Sequence, residues 1–483
     1  MSRGPSLNQR LALKWSKVNV AFLPFADVAT AELPLSRLLR LALFQVSVGM
    51  AYALMVGTLN RVLIVELGVA AWLVSLMVAL PLLAAPFRAL VGYRSDTHLS
   101  ALGWRRVPYL WFGSLLQFGG LAIMPFALIL LTPGADTQPG GAVIGHIAAA
   151  LAFVMVGAGM QTTQTAGLAL ATDQARPDTR PRVVALMYVM LLLGMVMASF
   201  IFSLVLQDFT PTKLVGVVQG AAILTMLFNT VALWKQEPRG RRLPSAPQAP
   251  REAFGVVWQR FAAQGRTLRF LVAVALGTAA FNMQDIVLEP YGGAILKLSV
   301  SQTSLLTAGM ALGSVLAFAL AARLLLRGCD AHRLAAIGVL IGICAFSAII
   351  FAAPLHSSVL FRFGNFLLGL GAGLFAVSTL TVAMSLDVSG RAGLALGAWG
   401  AVQATAGGIA VGLGGCLRDA VEALGRMGWL GDAMSDPSVA YSVVYHLEIA
   451  LLFGTLIALG PLVRPSGARR PPSQHFGLAD FPA

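Results

Sequence analysis

The sequence predicts an all-α polytopic membrane protein with twelve transmembrane helices in two pseudo-symmetric six-helix halves. Three observations predict this fold: the composition, the recurrence of long apolar stretches, and short motifs that repeat in both halves. Of the 483 residues, 57% are hydrophobic and 11% are charged, whereas about 25% of an ordinary soluble domain is charged. Most of the chain is therefore expected to lie in lipid or against other helices.

Apolar stretches of about 20 residues, enough for a helix to cross a hydrocarbon core of about 30 Å, follow one another along the chain. Because lipid offers no partner for backbone groups, each stretch is expected to be a helix, and the alternation of β-barrel strands is absent. The predicted spans are 40–62, 70–91, 108–132, 145–171, 184–206, 213–234, 269–290, 301–324, 334–354, 358–385, 392–416 and 439–463.

The basic residues indicate an orientation. Most of the 34 Lys and Arg residues fall on the side of the predicted topology that holds both termini, which is typical of cytoplasmic loops. Both termini are therefore predicted to be cytoplasmic in a multi-pass inner-membrane protein. The net charge of +14 then reflects topology, and the absence of a basic groove interleaved with aromatic residues argues against nucleic acid.

The chain divides into five predicted regions. Residues 1–39 form a polar leader, which argues against a cleavable signal peptide and has the pattern of a segment along the cytoplasmic interface. A six-helix half at 40–234 precedes a basic, proline-rich cytoplasmic linker at 235–268. A second six-helix half follows at 269–463, and the tail at 464–483 has a composition typical of disorder.

Two short motifs recur in both halves. Gly-Ala-Gly occurs at 157–159 and at 371–373, and each time an Asp follows after thirteen intervening residues. Arg-x-x-Arg precedes span one at 37–40 and span seven at 266–269. These matches at equivalent points predict parallel repeats related by an axis along the membrane normal.

The loop between spans two and three resembles the cytoplasmic loop signature of the major facilitator superfamily. Its residues are Arg88, Gly92, Asp96, Arg105 and Arg106. The resemblance implies that the acid and the arginines pair across helix ends and latch one conformation. The alternative is that these charges only fix the topology.

A narrower resemblance is carried by the runs 57–67, 85–92 and 281–293, of which the third reads Phe-Asn-Met-Gln-Asp-Ile-Val-Leu-Glu-Pro-Tyr-Gly-Gly. They resemble the PucC and LhaA group of light-harvesting assembly proteins, a bacteriochlorophyll-delivery branch of the major facilitator superfamily. The resemblance extends from Phe22 to span twelve.

This resemblance implies a factor of the purple-bacterial intracytoplasmic (inner) membrane that delivers bacteriochlorophyll to LH1 or LH2 antenna polypeptides, chaperones their insertion, or does both. Bacteriochlorophyll would be bound cargo. The implied partners are the antenna α/β polypeptides, the reaction-centre core, pigment-synthesis enzymes, a membrane insertase and the lipid bilayer. The motifs do not separate an LH1-directed from an LH2-directed member.

Polar residues inside spans are candidate site residues because burying them in lipid is costly. Asn282, Asp285 and Glu289 in span seven are spaced to share one helix face. Asn60 occupies the position in span one equivalent to Glu289, and Arg61 is a candidate counter-ion for Asp285 or Glu289. This cluster either binds cargo or gates access, or it is a structural ion pair.

His446 is the only histidine in the interior of a predicted span, since His146 and His356 lie at span ends, and Glu448 accompanies it. Imidazole is a natural axial ligand for the magnesium of a pigment, so His446 is either such a ligand or a buried, hydrogen-bonded histidine. Gln161 and Gln164 of span four are secondary cargo-site candidates, although hydrogen bonds between helices also explain them.

Enzyme signatures are missing: the chain has no Walker A loop, HExxH, CxxCH or GxSxG motif, so no catalytic residue, ATP site or metal cofactor is predicted. Two alternatives to pigment delivery remain. A proton-coupled secondary transporter of a small solute would use Asp285, Glu289 or Glu448 as coupling carboxylates. A pure insertion chaperone would hold antenna helices without binding pigment.

Overall fold

The computed structural model describes residues 34–83, 95, 100, 103–132, 140–176, 179–237, 265–385, 392–429, 431 and 436–463, which form helices and turns without strands. The main helices are α1 Leu35–Tyr52, α2 Ala71–Leu83, α3 Val107–Leu131, α4 Gly141–Gln174, α5 Arg180–Val205, α6 Pro211–Leu233, α7 Gly265–Met283, α8 Val300–Leu326, α9 Ala331–Ala352, α10 Ser358–Ser385, α11 Ala392–Arg426 and α12 Pro437–Leu459.

Within the described residues, 11 helices are long and apolar enough to cross a membrane. The remaining helix, α2, is apolar and is described only over Ala71–Leu83, the first part of the predicted span 70–91. The prediction of an all-α polytopic membrane protein is confirmed. The leader before residue 34, the linker residues 238–264 and the tail from 464 lie outside the described residues.

Helix packing repeats between the two halves. In the first half, α1 packs against α5 and α6, α3 against α4 and α6, and α2 against α4. In the second half, α7 packs against α11 and α12, α9 against α10 and α12, and α8 against α10. Adding six to each helix number converts the first set of pairs into the second, which is what a duplicated six-helix unit requires.

Glycines allow the closest approaches within each half. A Cβ added to Gly369 of α10 would lie 2.0 Å from the carbonyl oxygen of Met310 of α8. A Cβ added to Gly49 of α1 would lie 2.2 Å from the carbonyl oxygen of Leu191 of α5. Only hydrogen fits in these spaces, so the backbones of membrane helices approach one another here as in small-residue interfaces.

The two halves meet along α2 with α11, α5 with α8, and α1 with the region after α7. Hydrogen bonds join them toward the end of the helices that lies away from the termini. The backbone N–H of Trp72 donates to Asp419 at 2.8 Å, and the Ser203 and Ser301 hydroxyls are 2.9 Å apart. The contact between the ends of α1 and α7 lies at the same end and carries several polar groups.

The first helix of each half loses its α-helical pattern at this contact. After α1, the chain continues through π-helical turns at Ala53–Leu59 and Val62–Glu66. After α7, a 3-10 turn at Gln284–Ile286 leads into the short helix Leu288–Ala294, so predicted span seven is interrupted. π-Helical turns are frequent at functional sites, and interrupted helices at matching positions of two repeats indicate a binding site.

Candidate functional site

The 3-10 turn after α7 is held from the first half by two side chains of α1 and its extension. The Tyr52 hydroxyl donates to the Asp285 carboxylate at 3.0 Å. The Asn60 amide donates to the backbone carbonyls of Asp285 and Ile286, both at 3.1 Å. Where a helix is interrupted its carbonyls need new partners, and Asn60 supplies one from the opposite half.

Glu289 lies between α1's extension and α8. Its carboxylate accepts a 2.6 Å hydrogen bond from the Thr307 hydroxyl. A Cβ on Gly57 would lie 2.7 Å from the same carboxylate oxygen, so the glycine makes room for the acid. Glu289 is 4% exposed, and in the described structure its second oxygen, Oε2, has no hydrogen-bond partner.

Arg61 pairs with Glu66 rather than with the acids of α7. The Arg61 guanidinium is 2.6 Å from the Glu66 carboxylate and donates to the Leu298 carbonyl at 3.1 Å. The intervening π-helical turn explains this choice, because its hydrogen bonds join residues five apart. Among the described residues Arg61 forms no ion pair with Asp285 or Glu289, the pairing predicted from the sequence, although its charge still acts electrostatically on Glu289.

Asn282 points elsewhere. Its amide donates to the Thr278 carbonyl of its own helix at 3.0 Å, and Gly407 of α11 lies beside it. Asp285 instead contacts α1, and Glu289 lies beside Gly57 and α8. The prediction of one shared face assumed an uninterrupted α-helix, and the 3-10 turn changes the angle between successive side chains.

Glu448 approaches the same turn from α12. It is fully buried close to Asp285 and to the Gln284 backbone, and within the described residues no donor lies in good hydrogen-bond geometry with either carboxylate oxygen. The Tyr445 hydroxyl, one helical turn away, is likewise buried and without a partner there. The α1–α7 cluster, defined as Tyr52, Asn60, Asp285, Glu289 and Glu448, therefore offers several unused oxygen acceptors to a donor group.

The other predicted candidates lie outside this cluster. Gln161 and Gln164 are half-buried on α4, which packs against α1, α2 and α3 of its own half. His446 is exposed on α12, and its Nδ1 lies 2.7 Å from the Ser442 carbonyl oxygen. The interpretation of His446 as a buried histidine is therefore wrong, while its role as a ligand stays a prediction.

The predicted latch is described in part. The Arg106 guanidinium donates to Asp173, at the end of α4, at 3.0 Å and to the Ser95 hydroxyl at 2.6 Å. The Glu237 carboxylate accepts from the backbone N–H groups of Arg105, Arg106 and Val107, which begin α3. The remaining latch residues, Arg88, Gly92 and Asp96, lie outside the described residues.

Sequence reasoning missed Tyr52, Glu66, Thr307 and Glu237. A tyrosine or threonine inside an apolar helix carries no signal that separates a structural hydroxyl from one aimed at a carboxylate. Glu66 could have been found as a partner only by allowing a five-residue spacing after Arg61. Glu237 caps a helix distant in sequence, and single-sequence patterns do not report such contacts.

The chain was compared with known families and proteins. A family model described as PUCC protein matches residues 58–467. An uncharacterized protein in the puhA-bchM intergenic region of Rhodobacter capsulatus is 52% identical, with 98% of each chain covered. Protein PucC of Cereibacter sphaeroides is 47% identical over 95% of this chain and 99% of that protein. The bacteriochlorophyll synthase 44.5 kDa chain of Rhodobacter capsulatus is 28% identical over 91% and 98%.

Solved transporters share the fold at low identity. A bacterial homologue of the human lysosomal transporter Spinster, inward-facing and unoccupied, has a TM-score of 0.63 at 15% identity, covering 88% of this chain and 95% of that chain. A bacterial homologue of the iron transporter ferroportin, also inward-facing, has a TM-score of 0.63 at 13% identity, covering 88% and 98%. These likenesses confirm the predicted transporter-type fold.

Proposed function

Because the chain belongs to the PUCC protein family, we propose that it is an assembly factor for the light-harvesting complexes of purple bacteria. It delivers bacteriochlorophyll to the antenna polypeptides and chaperones their insertion. The observation that carries this proposal is the family match over residues 58–467. Relatives named Protein PucC, at 47–52% identity, support it.

The proposed setting is the intracytoplasmic (inner) membrane, with both termini in the cytoplasm. The segregation of basic residues to the side of the termini supports this orientation. The proposed partners are the antenna α/β polypeptides and the reaction-centre core, together with pigment-synthesis enzymes and a membrane insertase. The name of one relative, bacteriochlorophyll synthase 44.5 kDa chain, supports a link to pigment supply. The role is non-enzymatic.

The α1–α7 cluster has a conformational role in this proposal. Its hydrogen bonds from Tyr52 and Asn60 cross from one half to the other, so they favour the arrangement in which these ends of the halves are together. A partner segment that offers donors to the oxygens of Glu289 and Glu448 would compete with that arrangement. The cluster thus gates the space between the halves.

A second candidate function is proton-coupled transport of a small solute. Two observations favour it: the solved structures reported above that share this fold are homologues of transporters, and Glu289 and Glu448 are buried carboxyl groups. In this alternative, the carboxyl groups of Asp285, Glu289 or Glu448 carry the proton. A third alternative is an insertion chaperone that holds antenna helices and never binds pigment.

The test is deletion of the chain in a purple phototroph, followed by complementation. We expect the deletion to lower the antenna absorbance of membranes and the wild-type chain to restore it. The deletion strain is then complemented with three variants, Asp285→Asn, Glu289→Gln and Glu448→Gln. Gly220→Ala is the control, because a Cβ at Gly220 meets open space among the described residues. Unchanged antenna absorbance in the deletion strain would contradict the proposal.

The same strains separate the alternatives. Solute transport predicts that pH-driven uptake into vesicles is lost when the carboxyl groups are neutralised, with antenna absorbance unchanged. The assembly factor predicts the reverse, with antenna absorbance reduced and no uptake phenotype. Pigment content of the purified chain then distinguishes delivery of bacteriochlorophyll from insertion without pigment.

A further inference from the structure

His446 has an unusual position for an ionisable residue. It lies within α12, nine residues after the helix begins at Pro437, which places it about 14 Å along the helix at 1.5 Å per residue. Its side chain is exposed, whereas Tyr445 and Glu448 on the same helix are buried. The imidazole therefore lies on the outer surface of the bundle at the depth of the hydrocarbon.

The hydrogen bonds of the ring determine its tautomer. Nδ1 is 2.7 Å from the Ser442 carbonyl oxygen and 3.2 Å from the Ser442 hydroxyl. Because a carbonyl oxygen only accepts, the proton is on Nδ1 and the lone pair of the neutral ring is on Nε2. A carbonyl partner on the other ring nitrogen is the arrangement that orients metal-binding histidines.

The surroundings suit a flat apolar ligand. Ser442 and Ala450 lie one turn before and one turn after His446 on the same side of α12, and both side chains are small. Phe453, 53% exposed, and Ile457, 72% exposed, continue this outward surface along the helix. A planar macrocycle with its central metal next to Nε2 would contact small side chains near its centre and large apolar side chains at its edge.

Lipid provides no partner for the Nε2 lone pair. In the part of the chain that the structure describes, His446 has hydrogen bonds only through Nδ1, and an acceptor facing hydrocarbon is costly unless something binds it. The other described histidines lie in different settings: His146 and His332 near the starts of α4 and α9, and His356 in the turn after α9.

We propose that His446 is the axial ligand of a metallated tetrapyrrole held on the outer face of α12, outside the space between the halves. Nε2 donates its lone pair to the central metal at one axial position, and the solvent molecule bound there leaves. This inference rests on the proposed function, whose bacteriochlorophyll cargo has this chemistry. Pigment on the outer face passes sideways to a partner helix by ligand exchange, without crossing the protein interior.

The test measures binding of zinc pheophorbide and of metal-free pheophorbide to the full chain in lipid nanodiscs by absorption titration. We expect the zinc form to bind about 10–100-fold more tightly, a range typical of lost metal-site contacts. His446→Leu should remove this preference, and His146→Leu, at a half-buried histidine near the start of α4, should keep it. Equal binding of the two pigments, or an unchanged preference in His446→Leu, would overturn the inference.

A rescue experiment separates loss of a ligand from loss of fold. His446→Gly should lose the zinc preference, and added imidazole should restore tight binding of the zinc form to this variant but not to His446→Leu, which leaves no room for the imidazole. Tight binding that imidazole does not restore in His446→Gly would contradict axial ligation. Antenna absorbance in the complemented strain separates failure of this inference from failure of the proposed function. Normal antenna absorbance with His446→Leu would contradict ligation by His446 but not the assembly function. A deletion strain with unchanged antenna absorbance would contradict the assembly function itself.

Discussion

The α1–α7 cluster and the outer face of α12 both place polar side chains in the membrane, but these side chains have different hydrogen-bond partners in the two regions. In the cluster, Tyr52 and Asn60 find their partners in the opposite half of the protein. On α12, the His446 side chain bonds within the described residues only to Ser442 of its own helix, through Nδ1. The first arrangement holds the two halves together, whereas the second leaves a group that is satisfied only by something outside the chain.

The largest expected loss of stability follows from removing the buried guanidinium of Arg61, next to the cluster. Arg61→Ala removes the ion pair with Glu66 and the bond to Leu298, and Arg61 is only 3% exposed. We expect the free energy of unfolding to fall by about 3 kcal/mol, toward the upper range for hydrogen bonds to charged groups, since Glu66 keeps partial access to solvent. SDS titration in mixed micelles measures it.

Arg426→Ala is the matched control, because the Arg426 side chain is 74% exposed and pairs with Glu422 at 3.2 Å. Exposed ion pairs contribute little, about 0–1 kcal/mol. Equal losses of stability in the two arginine variants would contradict the assignment of Arg61 to a buried structural pair.

The next effect tests packing rather than polarity. Gly369→Ala places a Cβ 2.0 Å from the Met310 carbonyl, so α8 and α10 must move apart, at about 2 kcal/mol for an overpacked interface. Gly220→Ala meets nothing within 4 Å and should be neutral or slightly stabilising. If Gly369→Ala matched Gly220→Ala in the same titration, the close approach of α8 and α10 would be wrong.

A smaller effect is expected from one hydrogen bond between the halves. Tyr52→Phe removes the bond to Asp285 and should lower the free energy of unfolding by about 1 kcal/mol, within the range for hydrogen bonds between membrane helices. Tyr188→Phe on the exposed surface of α5 is the control. The distribution of distances between spin labels on the two halves should broaden in Tyr52→Phe and stay unchanged in Tyr188→Phe. An unchanged distribution in both variants would contradict a role of Tyr52 in holding the two halves together.

The smallest effect on stability is expected for His446→Leu, although we expect this substitution to change pigment binding strongly. His446→Leu removes a side chain whose hydrogen bonds, as far as the structure describes the chain, stay within its own helix. The free energy of unfolding of the pigment-free chain should therefore change by less than about 0.5 kcal/mol, as for most surface substitutions. A loss comparable to that of Arg61→Ala would show that His446 supports the fold, and the contrast between the two regions would disappear.

The fold was predictable from the sequence because span length and composition follow directly from the thickness of the bilayer. The presence of Asn60, Arg61, Asp285 and Glu289 at one site was also predictable, since polar residues stand out in apolar runs. Their pairing was not. The π-helical and 3-10 turns change the spacing rules, so Arg61 meets Glu66 and Asn282 turns toward α11.

The exposure of His446 could not be predicted for a different reason. In a soluble protein, the apolar stripe of a helix marks its buried side. In α12, both the lipid-facing side and the packed side are apolar, as Phe453 and Leu452 illustrate with 53% and 0% exposure. Periodicity therefore carries no information about which side faces outward.

The most direct test of pigment delivery is the absorption spectrum of the wild-type chain, purified in mild detergent from a purple phototrophic host. We predict a bacteriochlorophyll band in proportion to the protein, lost in His446→Leu and kept in His146→Leu purified in the same way. A colourless wild-type protein would contradict delivery, and would leave insertion of antenna polypeptides or solute transport as the function.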